Sequence, residues 1–426
     1  MSALIIFGLL ALLMLTGMPI SISLGLTVLT YLFALTSVPV EAVAMKLFTG
    51  IEKFEIMAIP FFILAGNFLT HGGVAKRMIN FATALVGHLR GGLALGGILA
   101  CALFAAVSGS SPATVVAIGT ILLPAMVKQG YPMKFGVGVI GTSGALGILI
   151  PPSIVMVIYA VATNSSIGKL FIAGIIPGIL LSLLLMTVTW IVAKRRNYPC
   201  LPKANLTTLL RAFRESIWGL LLIVVVIGGI YTGIFTPTEA AAMSAVYAFI
   251  VAVFVYRDMT LKDVPRTLLA SANMSAMILY IITNAVLFSF LLTSEQIPQQ
   301  LTSWITHLGL GSIGFLVMVN LLLLVAGNFM EPSSILLITA PLLFPMAMQL
   351  GIDPIHLGIL MTVNMEIGMI TPPVGLNLYV ASGISHLGLT ETTKACAPWI
   401  LVMLAFLLVI TYVPIISLWL PNLLFK

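Results

Sequence analysis

The chain has 426 residues, 60% of them hydrophobic and only 7% charged, which leaves too little polar surface to cover a water-soluble globule. It reads as an all-α polytopic membrane protein. The formal net charge of +7 does not call for a nucleic-acid partner, because the Lys and Arg residues gather in a few loops between apolar runs, where they report membrane orientation.

A bilayer-crossing helix needs about 20 apolar residues, and a hairpin reaching only partway needs roughly 12 to 16. That difference sorts the runs. Residues 3–16 and 20–35 are two helices joined at Gly17-Met-Pro19. The first lacks a basic leader and a small-residue cleavage site, so it reads as a retained helix. Residues 38–54 interleave Glu41, Lys46, Glu52 and Lys53 with apolar positions, the pattern of a helix lying along the interface. A span at 55–70 and a loop carrying Lys76, Arg77, His88 and Arg90 follow. Residues 91–107 and 112–127 are both short, with a polar link too brief to cross water, and predict a re-entrant hairpin over about 91–127. A helix at 134–163 is broken near its middle by Gly147-Ile-Leu-Ile-Pro-Pro-Ser153, and 170–193 closes the first half, 1–193.

Residues 194–216 hold six Lys and Arg against one acid and form a cytoplasmic linker. The second half, 217–426, repeats the order: helices at 217–235 and 240–256, an amphipathic interface segment at 257–272, a span at 274–292, a hairpin at 311–350, a broken helix at 355–385 and a last span at 397–420. Sliding the chain by 221 residues lays Pro124 on Pro345, Gly130 on Gly351, Gly147 on Gly368 and Pro151-Pro152 on Pro372-Pro373. These breakers in register predict a duplicated unit. Residues 293–310 and 351–354 carry no Lys or Arg and belong outside. Counting spans from these anchors makes the halves inverted repeats, with both termini on the periplasmic side.

Non-helical backbone at membrane depth must find partners for its N–H and C=O groups, so four breaks in one chain predict a shared polar cavity with one hairpin tip against one break in each half. Oxygens of Ser108, Ser110, Gly147 and Ile150 suit a bare hard cation, with sodium the natural one. The helix opening at Pro112 behind Ser111 turns N–H groups toward an anion. Glu331, Pro332, Gly368, Thr371 and Pro372 take the corresponding places in the second copy. Ser111, Ser153, Asn364 and Asn377 are the residues expected to meet substrate. Each has a plainer reading: Pro-Pro as a simple kink, Ser and Gly as close-packing positions, Asn364 and Asn377 as partners of backbone. Glu331 is open to roles as ion ligand, proton carrier or neutral carboxyl, and Glu366 is a second carboxyl in apolar surroundings.

Cys101, Cys200 and Cys396 share no metal-ligand spacing and are expected as reduced structural thiols, with no cofactor. No nucleophile–base order and no phosphate-binding glycine loop occurs, so neither an enzyme nor direct coupling to ATP is expected.

Ser108-Gly-Ser-Ser-Pro-Ala-Thr-Val-Val-Ala-Ile-Gly119, Gly144-Ala-Leu-Gly-Ile-Leu-Ile-Pro-Pro-Ser153, Gly351-Ile-Asp-Pro-Ile-His356 and Glu366-Ile-Gly-Met-Ile-Thr-Pro-Pro-Val-Gly-Leu-Asn377, with Ile59-Pro-Phe-Phe-Ile-Leu-Ala-Gly-Asn67, resemble the large membrane subunit (DctM type) of tripartite ATP-independent periplasmic (TRAP) transporters. The likeness covers essentially the whole chain. It implies a bacterial inner-membrane, multi-pass elevator, in which hairpins and broken helices move as a transport domain against a scaffold. It also implies sodium-driven symport of an organic acid, C4-dicarboxylates first and sugar acids or 2-oxo acids as rivals. The partners implied are a four-helix membrane subunit (DctQ type), expected as a separate polypeptide, and a periplasmic solute-binding protein (DctP type). By motif, the ion sites fall at Ser108, Ser110, Gly147 and Pro151 and at Glu331, Gly368, Thr371 and Pro372. The alternative is a stand-alone ion- or proton-coupled exchanger with Glu331 as carrier.

Overall fold

The computed structural model describes residues 2–36, 38–307 and 311–425, and every regular element among them is helical. In chain order, α1 (Ser2–Leu15), α2 (Ile20–Leu35) and α3 (Val40–Thr49) are followed by a 3-10 turn at Phe54–Met57, α4 (Ala58–His71) and α5 (Val74–Val86). The first hairpin is α6 (Gly92–Ser108) and α7 (Ser111–Lys128). The first broken helix is α8 (Met133–Ser143), a 3-10 stretch at Gly144–Ile148 and α9 (Ile154–Thr163), with α10 (Ile167–Arg195) behind it.

The second half comprises α11 (Leu206–Tyr231), α12 (Pro237–Ile250), α13 (Val264–Ser294) and α14 (Ile297–His307). Then come the hairpin α15 (Ser312–Gly327) and α16 (Pro332–Gln349), the broken helix α17 (Pro354–Gly368) and α18 (Leu376–Ser385), and finally α19 (Leu389–Tyr412) and α20 (Ile415–Leu424). Among the described residues, 8 helices are long and apolar enough to cross a membrane.

Local chemistry sets the boundaries that matter. Pro sits in the first turn of α7, α12, α13, α16 and α17, where its missing N–H costs no helical hydrogen bond. Asp353 accepts from the N–H groups of Ile355 at 2.8 Å and His356 at 3.3 Å, and Thr236 and Glu239 form a capping box at the start of α12.

Five expected boundaries move. The loop expected after residue 70 is largely α5, because Val74, Ala75, Met78, Ile79 and Ala82 fall on one buried helical face while Lys76 points outward. Residues 264–272 of the expected interface segment and the span at 274–292 are one helix, α13, since no Gly or Pro separates Pro265 from Ser294. The irregular linker shrinks to 196–205: α10 runs on to Arg195, and Asn205 caps α11 by accepting the Thr208 N–H at 2.8 Å. The last span starts early, at Leu389, and splits at Pro414 into α19 and α20. Part of the stretch expected as an outer loop, Ile297–His307, is helix α14, while residues 308–310 lie outside the described ones.

The packing places the breaks. α18 lies on α7 and α8, and α9 lies on α16, so each half-helix beyond a break packs on the hairpin of the other half of the chain. α4 packs along α12, and α15 along α17. A separate apolar cluster at Leu24, Val28 and Leu32 of α2 with Leu287, Phe288 and Leu291 of α13 joins the N-terminal helices to the long α13.

Candidate functional site

At the first tip, Gly109 ends α6 with φ +60°, a left-handed turn that an L side chain rarely adopts. The turn is tied internally: Ser108 Oγ lies 3.0 Å from Thr114 Oγ1, and Thr114 Oγ1 donates to the Ser110 carbonyl at 2.8 Å. This tip sits on the first break. A Cβ added to Gly147 would fall 2.6 Å from the Ser110 carbonyl oxygen, and one added to Gly109 would fall 2.9 Å from that of Pro152. Glycine is required because backbone meets backbone here. Ser111 Oγ donates to the Gly144 carbonyl at 3.0 Å, and Ser153 Oγ donates to the Ile148 carbonyl at 2.6 Å while capping α9.

The second tip repeats this relation with different atoms. Gly327 and Gly368 approach so closely that a Cβ on Gly368 would lie 2.6 Å from Gly327 Cα. The Val374 N–H donates to the Asn328 carbonyl at 3.0 Å, joining tip to break. Glu331, at the N-terminal end of α16, accepts from Ser333 Oγ at 2.7 Å, and Thr371 Oγ1 donates to the Ile367 carbonyl at 2.6 Å. Both Pro151-Pro152 and Pro372-Pro373 are cis. The two sides differ in cover: Pro151 and Pro152 are buried, whereas Pro372 and Pro373 are exposed.

A hydrogen bond joins the first tip to the second broken helix. Asn377, at the start of α18, donates from Nδ2 to Ser111 Oγ at 2.6 Å. The buried side-chain oxygens Ser143 Oγ, Asn328 Oδ1 and Asn377 Oδ1 have no hydrogen-bond partner among the described residues. The donor set at both junctions is thus oxygen, mostly neutral, with one carboxylate, which suits a hard cation.

Residues 7–416 match the family described as "Tripartite ATP-independent periplasmic transporter, DctM component". The chain belongs to the DctM family. A "C4-dicarboxylate TRAP transporter large permease protein DctM" of Rhodobacter capsulatus is 70% identical over 100% of both chains. An "Isethionate TRAP transporter permease protein DctMQ" of Oleidesulfovibrio alaskensis is 43% identical over 97% of this chain and 65% of its own length. Among solved structures, the Alcanivorax borkumensis YdaH transporter, described as having an unusual topology, matches with a TM-score of 0.64 at 16% identity, covering 90% of this chain and 89% of that one, which is a likeness of fold. This DctM-family chain is therefore the permease component of a transporter and a multi-pass membrane protein, not an enzyme.

Within the DctM fold, Ser108, Ser110, Ser111, Gly147 and Ser153 come together around the first tip and break, and Glu331, Gly368, Thr371 and Asn377 around the second. Ile150 and Pro151 lie within the first break, with Ile150 against Gly178 of α10, and Pro372 lies within the second break. Asn364 lies one turn before Gly368 on α17, and its Oδ1 has no hydrogen-bond partner among the described residues. Fully buried, it donates from Nδ2 to Asn320 Oδ1 at 2.8 Å and to the Leu360 carbonyl at 3.1 Å, and Asn320 donates on to Thr411 Oγ1 at 2.9 Å. Glu366 is 0% exposed, with neither carboxyl oxygen hydrogen-bonded among the described residues. Sequence reasoning missed Thr114, Ser143, Asn328 and Gly66. The last lies so close to the Ser108 carbonyl that a Cβ would fall 2.8 Å from it. Its neighbour Asn67 donates to Ser271 Oγ at 2.8 Å.

Proposed function

We propose that this chain imports a small organic acid, a C4-dicarboxylate by its likeness to the Rhodobacter capsulatus relative, together with sodium down its gradient. The observation that carries the reading is the paired arrangement of tip on break, Gly147 against Ser110 and Gly368 against Gly327, with Asn377 bridging the two sides to Ser111. Each junction gathers backbone and side-chain oxygens that satisfy a dehydrated sodium ion. The N-terminal end of α7 turns N–H groups toward an anion. Cation and carboxylate then neutralise one another inside a low-dielectric protein, so binding of one favours the other.

The halves 1–193 and 217–426 are inverted repeats in this reading, joined by the basic cytoplasmic segment 194–216, with both termini periplasmic. Reciprocal packing of α9 on α16 and α18 on α7 supports a single mobile unit made of both hairpins and both broken helices. That unit moves as an elevator against a scaffold of the remaining helices in the bacterial inner membrane. Partners are a small DctQ-type membrane subunit and a DctP-type periplasmic binding protein, the first in keeping with the DctMQ name of the longer relative.

The test is uptake of radiolabelled succinate by vesicles holding all three components. Accumulation is expected with an inward sodium gradient and collapses when choline replaces sodium. Equal accumulation in choline contradicts the coupling.

A further inference from the structure

Where α3 meets the end of α9, a cleft of about 270 Å³ is lined by Lys46, Lys53, Asn164 and Ser289 over apolar Ile282 and Leu337. Two lysines in one small cleft repel each other unless an anion lies between them. Among the described residues the ion pairs are Arg77–Asp258, Lys134–Glu391 and Lys394–Glu391, so neither Lys46 nor Lys53 has a carboxylate bound to it, although Glu55 acts on Lys53 at longer range. The Lys53 ammonium is held in place. Lys53 Nζ donates to the Val161 carbonyl at 2.8 Å and to Asn164 Oδ1 at 2.6 Å, which leaves one of its three protons free. Lys46 Nζ lies 5.5 Å from the centroid of the Phe290 ring. In the orientation proposed above this is the outer side, where the positive-inside bias runs against lysine and a local purpose is needed.

We propose that this cleft is a second, outer binding site for a small organic carboxylate, held by Lys46, Lys53 and Ser289 on its way from outside to the broken helices. The apolar floor at Ile282 and Leu337 suits the carbon chain of such an acid. α9 and α16 belong to the proposed mobile unit, and α3 and α13 to the scaffold, so elevator movement takes the cleft apart and releases its anion. The inference rests on the transport reading, and its test separates the two.

The test uses the full chain, inserted outside-out in vesicles, with Cys200→Ser to remove the exposed native thiol and Thr49→Cys at the rim of the cleft. The rate of labelling by a membrane-impermeant maleimide added outside is followed against succinate and against uncharged succinamide. Succinate is expected to slow labelling and succinamide to leave it unchanged. Lys46→Gln and Lys53→Gln each raise the half-protecting succinate concentration about tenfold, and Lys46→Arg restores it. Protection that survives both glutamine variants, no protection at all, or protection that follows the phosphatidylglycerol content of the vesicle overturns the site, the last because a lipid phosphate then fills it. A thiol that reacts only from inside overturns the orientation and the cleft together. Sodium-driven uptake that stays intact beside an unprotected thiol overturns the cleft alone.

Discussion

Asn377 donates to Ser111 across 2.6 Å, linking the second broken helix to the tip of the first hairpin through two side chains that are both fully buried. Removing Ser111 leaves the buried Asn377 amide without its acceptor, at a cost of about 1–3 kcal/mol, and removing Asn377 opens a cavity while Ser111 Oγ keeps its bond to the Gly144 carbonyl. Asn377→Ala and Ser111→Ala are each expected to lower thermal stability in detergent by that order and to cut succinate uptake. The double variant should cost less than the sum of the two, and strict additivity would show that the bond does not couple them.

Glycine at the two tip–break contacts is a steric requirement. Gly147→Ala puts a methyl group 2.6 Å from the Ser110 carbonyl oxygen, and Gly368→Ala puts one 2.6 Å from Gly327 Cα. Backbone on both sides cannot yield as a side chain can, so each is expected to cost about 1–3 kcal/mol and to abolish uptake. At Gly383 a Cβ meets nothing within 4 Å, and Gly383→Ala should leave uptake intact. Thermal melts and uptake on the three variants check the contrast.

Glu331 brings the only carboxylate among the residues gathered at the two junctions, where it accepts from Ser333 at 2.7 Å. Glu331→Gln keeps the shape and removes the ionisable carboxyl. The sodium concentration for half-maximal uptake is expected to rise about tenfold or more, with the half-saturating concentration of binding protein unchanged. An unaltered sodium dependence would take Glu331 out of the ion site.

The ion pair of Lys134 with Glu391 joins α8 to α19 at an exposed surface, with the two side chains 62% and 39% accessible. Such pairs contribute about 0–1 kcal/mol. Lys134→Ala is expected to leave both melting temperature and uptake nearly unchanged, and a large loss in either would assign this contact a role in transport.

The hairpins and broken helices were legible in the sequence because their signals are local and discrete. Pro112 and Pro332 open helices, Gly109 turns the chain, and two Pro-Pro pairs stand 221 residues apart. The α5 helix was not, since its Lys76, Arg77 and flanking glycines resemble a loop until the buried stripe from Val74 to Ala82 is seen against α6 and α11. Long-range pairs left no trace either. Asn377 and Ser111 are 266 residues apart, and Gly66 meets Ser108 only because α4 packs on α6. For the same reason, nothing near Asn364 in sequence signals that its amide donates to Asn320.

In the proposed transport cycle, sodium binds where a hairpin tip meets a broken helix. Equilibrium binding of radioactive sodium to the purified chain tests it most directly. Saturable binding is expected, reduced by Glu331→Gln and by Gly147→Ala separately and lost when both are combined. Sodium binding of wild-type strength in the combined variant, from a folded chain, would place the ion away from both junctions.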